Sequence, residues 1–221
     1  MIKLNRNKAA FGRHSTFPLR YAWLTKGLGA IRANPHIFST PEDAMVELGV
    51  GRNMVSAILY WLQVTRLVDF STADPEITPL GDALLGEQAD PYLEDEATLW
   101  IIHWLIVSNP ELATGFYWFF NRFAMPRFRE PEMRQALTDF AEQELQVRRS
   151  ASTIKSDSST LLRMYAAGEG NGGEDHLDSP LAQLKLVEAD PGQGYRSPRA
   201  VRPFLPPLAL HFALAERFHS D

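Results

Sequence analysis

The side chains that most often carry out chemistry are spread thinly along this sequence. No two of its six histidines stand in an HxH, HxxxH or HExxH arrangement, so a local metal site is not predicted. His103 lies between Trp100 and Trp104 in an apolar stretch. It is either a ligand or base, or a hydrogen-bonded core histidine, and its apolar neighbours favour the core interpretation. The other histidines are His14, His36, His176, His211 and His219.

Other catalytic patterns are also missing. The carboxylates of residues 94–96 either bind a cation or begin a helix, and the helix start is favoured because acids are stabilised there. No phosphate loop of the GxxxxGK[ST] type and no GxSxG nucleophile motif occurs. The absence of cysteine excludes disulfides, thiolate metal sites and cysteine nucleophiles. Only a site assembled from distant residues would give activity, so we predict no enzyme, no metal ion and no cofactor.

Positive charge is the one chemical feature that the sequence concentrates. Residues 1–41 contain seven Lys or Arg and no Asp or Glu, whereas residues 42–100 contain twelve acids and two bases. Such a basic arm is suited to a phosphate backbone or an acidic partner. Alternatively, it is a solubilising tail that packs on the acidic block of the same chain. The predicted contacts to DNA phosphates are Arg6, Lys8, Arg13 and Arg20.

A helix-turn-helix follows the basic arm. Residues 40–43, Thr-Pro-Glu-Asp, predict a helix start, because a hydroxyl residue precedes proline and acids fill the first turn. Glycines at 49 and 51 end this helix, and a second helix is predicted over about residues 52–65. Residues 67–70 and 76–80 have the pattern of two short strands joined by a polar turn. Two helices and a hairpin in this order are typical of a winged helix.

The second helix is predicted to have two faces. Its buried face consists of the apolar residues at helical spacing, Met54, Val55, Ile58, Leu59, Trp61 and Leu62. The other face carries the residues predicted to contact DNA, Arg52, Asn53, Ser56 and Tyr60. This assignment follows because the first residues of a recognition helix face the DNA groove.

The chain is predicted to be mainly α-helical and to contain four segments. Residues 1–85 form the basic arm and the winged helix, residues 86–167 a helical bundle, residues 168–178 a flexible linker, and residues 179–221 a small winged-helix-like unit. The bundle is rich in aromatic residues, including Trp100, Trp104 and Trp118. They form either a base-stacking platform or a dense core, and the core is favoured because aromatics at helical spacing usually bury one another.

Several segments occur in an order that is known from one protein family. FGRHSTFPLRYAWLTKG, at residues 11–27, is similar to the pattern FSGHETFPxRxxWLxKG, but has Arg13 and Ser15 where that pattern has glycine and glutamate. The segments DAMVELGVGRNMVSAILYW, ITPLG, DPYLEDEATLWIIHW and WFFN continue the similarity over most of residues 11–205. Together they resemble the bacterial DUF4007 family. Relative to that family the chain is short at its C-terminus, so its last domain is expected to be trimmed.

The resemblance also implies a biological setting. Genes of this family often lie beside genes for PAPS-reductase-like proteins, in islands of phage defence and DNA sulfur modification, which implies a role near DNA phosphorothioation or a BREX-like system. The leading hypothesis is a DNA-binding accessory subunit that meets duplex DNA and other defence-system subunits. The alternative is a docking module for a PAPS-reductase-like sulfur-transfer enzyme, without DNA contact. A cytoplasmic location without membrane contact is expected, because no apolar run is long enough to span a bilayer.

Overall fold

The computed structural model describes residues 4–167, 179–198 and 202–219. Within these residues the protein is mainly helical, as the sequence predicts. The α-helices are α1 (Tyr21–Ala33), α2 (Pro41–Leu48), α3 (Arg52–Val64), α4 (Pro79–Leu85), α5 (Glu96–Val107), α6 (Thr114–Asn121), α7 (Glu130–Asp139), α8 (Ala151–Tyr165) and α9 (Pro207–His219). A π-helical turn at Phe140–Glu144 extends α7, and 3-10 helices lie at Arg6–Lys8, Ile37–Ser39 and Pro180–Leu184.

The strands are short and form two small sheets within the described residues. They are β1 (Val68–Asp69), β2 (Glu76–Ile77), β3 (Arg127–Phe128), β4 (Ala166–Ala167), β5 (Val187–Asp190) and β6 (Gly194–Arg196). Strands β1 and β2 make an antiparallel hairpin, with Val68 opposite Ile77. The second sheet has the order β3-β6-β5-β4, and only its β4–β5 pair is parallel.

Local sequence explains the two helices before the hairpin. Helix α2 has Pro41 at its first position and acids in its first turn. It ends at Gly49, whose φ of 66° lies in the left-handed region that glycine adopts without steric cost. Helix α3 follows directly after Gly51. The two helices and the hairpin that the sequence predicts are therefore present, but the second strand is shorter than the predicted residues 76–80, because Pro79 and Leu80 already belong to α4.

Helices α1 and α3 pack closely against each other. A Cβ atom at Gly27 of α1 would lie 2.7 Å from Cδ1 of Leu62, so a larger residue there would force the Leu62 side chain to move. Ile58, Trp61 and Leu62 are fully buried. Met54 and Leu59 were also predicted to be buried, but they are only half-buried. Met54 lies in the first turn of α3, and Leu59 lies on the helix beside its exposed face, so neither reaches the centre of the contact.

The four-stranded sheet joins segments that are distant in sequence. Strand β3 belongs to the stretch predicted as a helical bundle, whereas β5 and β6 belong to the predicted C-terminal unit. Phe128 of β3 lies opposite Tyr195 of β6, and their rings stack with centroids 5.8 Å apart. The predicted linker at 168–178 lies outside the described residues.

The aromatic residues of α5 and α6 contribute mainly to the core. Trp118 is 4% exposed and packs on Phe123 with ring centroids 4.9 Å apart. Trp100 and Trp104 are half-buried, so they contribute less than the core interpretation predicts.

Helix α9 packs along α5 and leaves Leu210 exposed. Among the described helices, none combines the length and the apolar character that crossing a membrane would require.

Candidate nucleic-acid interface

The N-terminal basic segment lies along helices α6 and α8. The backbone N–H of Ala10 donates to Oγ1 of Thr114 in α6, at 2.8 Å. Arg149, just before α8, donates from its guanidinium to the carbonyl of Ala9 at 3.2 Å, and that guanidinium lies over the ring of Phe11. These contacts fix the path of the segment, so its bases occupy defined positions.

A buried histidine–carboxylate pair anchors the segment at its centre. Nε2 of His14 lies 2.7 Å from Oδ1 of Asp157 in α8, and both side chains are at most 5% exposed. The backbone N–H of Gly12 donates to the same carboxylate oxygen, at 2.9 Å. The other carboxylate oxygen of Asp157 is buried and has no hydrogen-bond partner among the described residues. The charge of Asp157 therefore depends on the N-terminal segment for its compensation.

The hydrogen bonds of His14 also define its tautomer. The backbone N–H of Thr16 donates to Nδ1 of His14 at 3.1 Å, so Nδ1 acts as an acceptor and carries no proton. Nε2 is then the protonated nitrogen and donates to Asp157. The His14 ring is further enclosed by Trp61, which stacks on it, and by the edges of Tyr60 and Phe116. Both ring nitrogens of His14 are hydrogen-bonded, so the His14–Asp157 pair holds the N-terminal segment against α8. Neither nitrogen is exposed, as a general base would require.

Asp157 was not identified from the sequence. The family pattern has a glutamate next to the histidine, where this chain has Ser15, and the structure instead supplies an acid from a helix 143 residues away. One signal was available. Asp157 lies at helical spacing between Ile154 and Leu161, on the buried face of α8. A carboxylate in such a position needs a buried partner.

The loop that carries His14 has an unusual backbone. Gly12, Ser15 and Thr16 have φ values of 70°, 51° and 69°. Positive φ is uncommon for serine and strained for a β-branched residue such as threonine. The conformation is held from both sides, since the N–H of Thr16 bonds to His14 and its carbonyl accepts from Arg163. Strain that is held in this way indicates that the exact course of the loop matters to the protein.

The fixed segment and the residues before α8 carry a group of exposed bases. We call it the basic ridge, and it consists of Arg6, Lys8, Arg13, Arg148 and Arg149. All five side chains are exposed. Lys8 is paired with Glu111 at 3.1 Å, whereas the four arginines form no ion pair with any acid that the structure describes. Within the described part of the chain, the ridge therefore presents several positive charges without an acidic partner, on a segment that the contacts of Ala9, Ala10 and Gly12 hold in place.

The start of α3, the other predicted DNA contact, has a different environment. Arg52 is exposed but forms an ion pair with Glu42 of α2. That ion pair contributes to lowering the pKa of Glu42, after the larger effect of a backbone hydrogen bond, so the pair is charged at neutral pH. Asn53 and Ser56 are exposed, as predicted. The charge of Arg52 is thus largely offset by its neighbour.

The surface position predicted for Tyr60 is wrong. The N-terminal segment covers this flank of α3, and Tyr60 is 5% exposed with its hydroxyl donating to the carbonyl of Leu112. Burial raises its pKa, the charge of Asp157 adds to this, and Arg13 opposes it. Arg20, another predicted contact, is half-buried with its guanidinium over the ring of Trp23, at 5.4 Å from the centroid. Arg20 is therefore less accessible to phosphates than the bases of the ridge.

His103 is a core histidine, which confirms the favoured interpretation. Its Nδ1 lies 2.9 Å from the hydroxyl of Tyr165, and the ring is 9% exposed. The edge of Phe120 and the ring of Trp100 complete its surroundings. Desolvation in this apolar site lowers the pKa of His103 to about 3. The ring is therefore neutral at physiological pH and is held by one buried hydrogen bond.

The sequence matches a family described as "Protein of unknown function (DUF4007)" over residues 11–221. The chain belongs to the DUF4007 family. The expected resemblance is thereby confirmed, and no curated protein sequence matches the chain. The pattern that pointed to the family, residues 11–27, is the same stretch that forms the His14 loop and the start of α1.

Two solved structures are similar to this DUF4007 protein. A magnesium ion-bound SspB crystal structure shares 30% identity with a TM-score of 0.80, covering 92% of this chain and 65% of that one. A second SspB crystal structure shares 30% identity with a TM-score of 0.74, covering 89% of this chain and 62% of that one. The chain therefore spans less than two thirds of the length of the SspB chains that it matches.

Across residues 4–167, 179–198 and 202–219 of this DUF4007 protein, no three His, Asp or Glu side chains converge as metal ligands would. The acids at the start of α5 illustrate this, since Asp95 caps the helix through the N–H of Ala97 and Glu96 accepts from Trp100. The helix-start interpretation of residues 94–96 is confirmed.

Proposed function

We propose that this DUF4007 protein is a DNA-binding accessory subunit of a DNA phosphorothioation or phage-defence system, and that it meets duplex DNA through the basic ridge. The likeness to SspB and the setting implied by the family support the system. The main support for DNA contact is the basic ridge. Its arginines are exposed, form no ion pair with a described acid, and lie on a segment that is held in place by hydrogen bonds. Proteins that neutralise phosphates release condensed counterions, and this release drives binding.

The anchoring of the ridge supports this function physically. A disordered basic arm loses conformational entropy when it settles on DNA, and that loss weakens binding. Here the segment is already ordered by the contacts of Ala9, Ala10, Gly12 and His14. Binding then requires ordering of the arginine side chains alone. The ridge is thus a preformed surface for a phosphate backbone.

The winged helix supplies a second, weaker contact in this proposal. Helices α2 and α3 with the β1–β2 hairpin have the element order of a winged helix, and Asn53 and Ser56 are exposed near the start of α3. The N-terminal segment crosses α3 at Tyr60. Arg52 lies eight positions earlier in α3, so the two places are about 12 Å apart along the helix axis. One duplex is wide enough to touch both places. The charge offset by Glu42 makes the ridge the main source of affinity.

The test is a fluorescence-anisotropy titration of the full chain on a labelled duplex, at about 50 and 200 mM salt. The ridge variant combines Arg6→Gln, Arg13→Gln and Arg148→Gln. We expect it to weaken binding strongly and to reduce the salt slope by up to about three, roughly one for each lost phosphate contact. Arg52→Gln is expected to have a smaller effect.

The matched control is Arg127→Gln, which removes one exposed arginine from β3. Strand β3 shares a sheet with β4 at the far end of α8, away from the ridge. The Arg127→Gln variant should bind the duplex as tightly as the unmodified chain does. Absence of binding at low salt, or equal binding by the ridge variant, contradicts the DNA-binding proposal and leaves the docking module as the function. A phosphorothioated duplex in a parallel titration measures whether the modification is recognised.

A further inference from the structure

The outward face of α2 carries an unusual apolar side chain. Val46 is 85% exposed, although it lies in the middle of a helix. It borders a shallow depression at the turn between α2 and α3, lined by Glu42, Met45, Val46, Gly49, Val50 and Gly51. Met45 and Val50 are half-buried there, so the floor is apolar. Burying such a surface against a partner is favourable, because each apolar Å² removed from water contributes about 25 cal/mol.

The glycines keep this depression open. A Cβ atom at Gly49 or Gly51 would meet no described atom within 4 Å, so the space above both residues is empty. Gly49 is required for the helix end, since its φ is positive. Gly51 has an ordinary φ of −74° and is not required by the backbone. Gly51 is the N-cap of α3, a position at which glycine is favoured, and its lack of a side chain leaves the floor of the depression open.

The helix beside the depression is acidic. Asp43 and Glu47 are exposed three positions before and one position after Val46, and α2 contains no basic residue. Glu42, which lines the depression, is paired with Arg52. The carboxylates of α2 and the phosphates of nucleic acid are both negative and repel each other, so this face is unsuited to a phosphate backbone. It complements a partner that is apolar in the middle and positive at its flanks.

We propose that the α2 depression docks a short partner segment in which apolar side chains are flanked by Lys or Arg. The apolar side chains contact Val46, Met45 and Val50, and the flanking bases face Glu42, Asp43 and Glu47. The depression adjoins the start of α3, whereas the ridge crosses the region of Tyr60, so a docked segment leaves the ridge open and competes only with the weaker duplex contact at Arg52. This inference goes beyond DNA binding and does not depend on it.

The size of the surface favours a peptide-like segment over a second copy of the chain. Helix α2 has eight residues and is thus about 12 Å long. A stable dimer buries about 800 Å² on each partner, far more than this face offers. A short segment needs only one or two anchoring side chains in a pocket. The expected complex is therefore weak, salt-sensitive and one-to-one.

The test uses the full chain, labelled with ¹⁵N, and the synthetic peptide GKKLLKKG. Amide shifts on titration should be confined to residues 42–54, and added salt should weaken binding. Val46→Ser should lower the affinity by about fivefold, since it removes roughly one kcal/mol of apolar burial. Asp43→Asn with Glu47→Gln should lower both affinity and salt dependence. Both variants change exposed side chains, so their spectra should remain those of the folded protein.

Three controls make the result decisive. The peptides GKKSSKKG and GEELLEEG remove the apolar centre and reverse the charge, and both should bind poorly. Glu87→Gln removes an exposed acid outside the depression and should leave affinity unchanged. Equal binding by Val46→Ser, equal binding of the reversed peptide, or shifts on α9 in place of α2 would overturn the proposal. Shifts of residues 42–54 that depend on protein concentration without peptide would also overturn it, in favour of self-association.

Discussion

Two regions of this DUF4007 protein carry the residues that the sequence assigns to DNA contact, and their environments differ. The basic ridge holds its arginines on a segment that is bound to α8, and none of these arginines forms an ion pair with a described acid. The start of α3 holds Arg52 against Glu42, beside an acidic and partly apolar helix. Both regions have bases in suitable sequence positions. The charge available to a ligand is therefore set by neighbours in space, which the linear pattern of charges in the sequence does not reveal.

The largest effect is expected for the buried His14–Asp157 pair, which holds the basic ridge in place. His14→Ala leaves the buried carboxylate of Asp157 uncompensated, and Asp157→Ala leaves His14 without its acceptor. Each should lower the free energy of unfolding by about 2–3 kcal/mol, because a buried group then loses its hydrogen-bond partner and hydrogen bonds to charged groups are the stronger ones. The double variant should lose much less than the sum, because the two groups act together. Chemical denaturation of all four proteins gives this coupling, and additive losses would mean that His14 and Asp157 contribute separately.

The sequence predicted the helices α2 and α3 but did not predict the His14–Asp157 pair. Helices α2 and α3 follow from nearby residues, such as Pro41 and the glycines that end or precede a helix. The His14–Asp157 pair joins residues 143 positions apart, and no local pattern encodes that distance. Tyr60 was misplaced for the same reason, since the segment that covers it comes from the far N-terminus. Periodicity gives the face of a helix, but the partner of that face comes from the tertiary fold.

The second largest effect concerns His103, the other buried histidine, which lies in the aromatic core. The unfolded chain takes up a proton on His103 near pH 6.5, whereas the folded chain keeps it neutral down to about pH 3. Protons therefore favour the unfolded chain, and the free energy of unfolding should fall as pH drops below 6.5. At pH 5 the loss from this residue is about 2 kcal/mol.

His103→Gln provides the control for this pH dependence. Glutamine keeps a hydrogen-bonding group near Tyr165 but does not titrate. Denaturation of both proteins at pH 8 and pH 5 should show a smaller loss for the variant, and the contributions of other groups cancel in the difference. An identical loss in both proteins would show that His103 is accessible to protons in the folded state.

A smaller effect is expected from the strained loop of the ridge. Thr16 is exposed and has a φ of 69°, a conformation that costs about 1–2 kcal/mol for a residue with a Cβ. Thr16→Gly removes this strain but makes the unfolded chain more flexible. The net expectation is a gain of about 0.5 kcal/mol in unfolding free energy. Thr40→Gly, at an exposed threonine with a φ of −116°, is the matched control and should destabilise the protein.

The smallest effect tests the comparison itself. Glu42→Gln releases Arg52 from its ion pair, and both side chains are more than 60% exposed, so the unfolding midpoint should not change. If the ridge is the main DNA contact, the affinity for duplex DNA should change by less than about twofold, as expected for a screened surface charge. Arg13→Gln should weaken binding clearly in the same titration. A large gain in affinity with Glu42→Gln that Arg52→Gln abolishes would reverse the ranking, because the start of α3 would then be the primary contact and Glu42 the residue that restrains it.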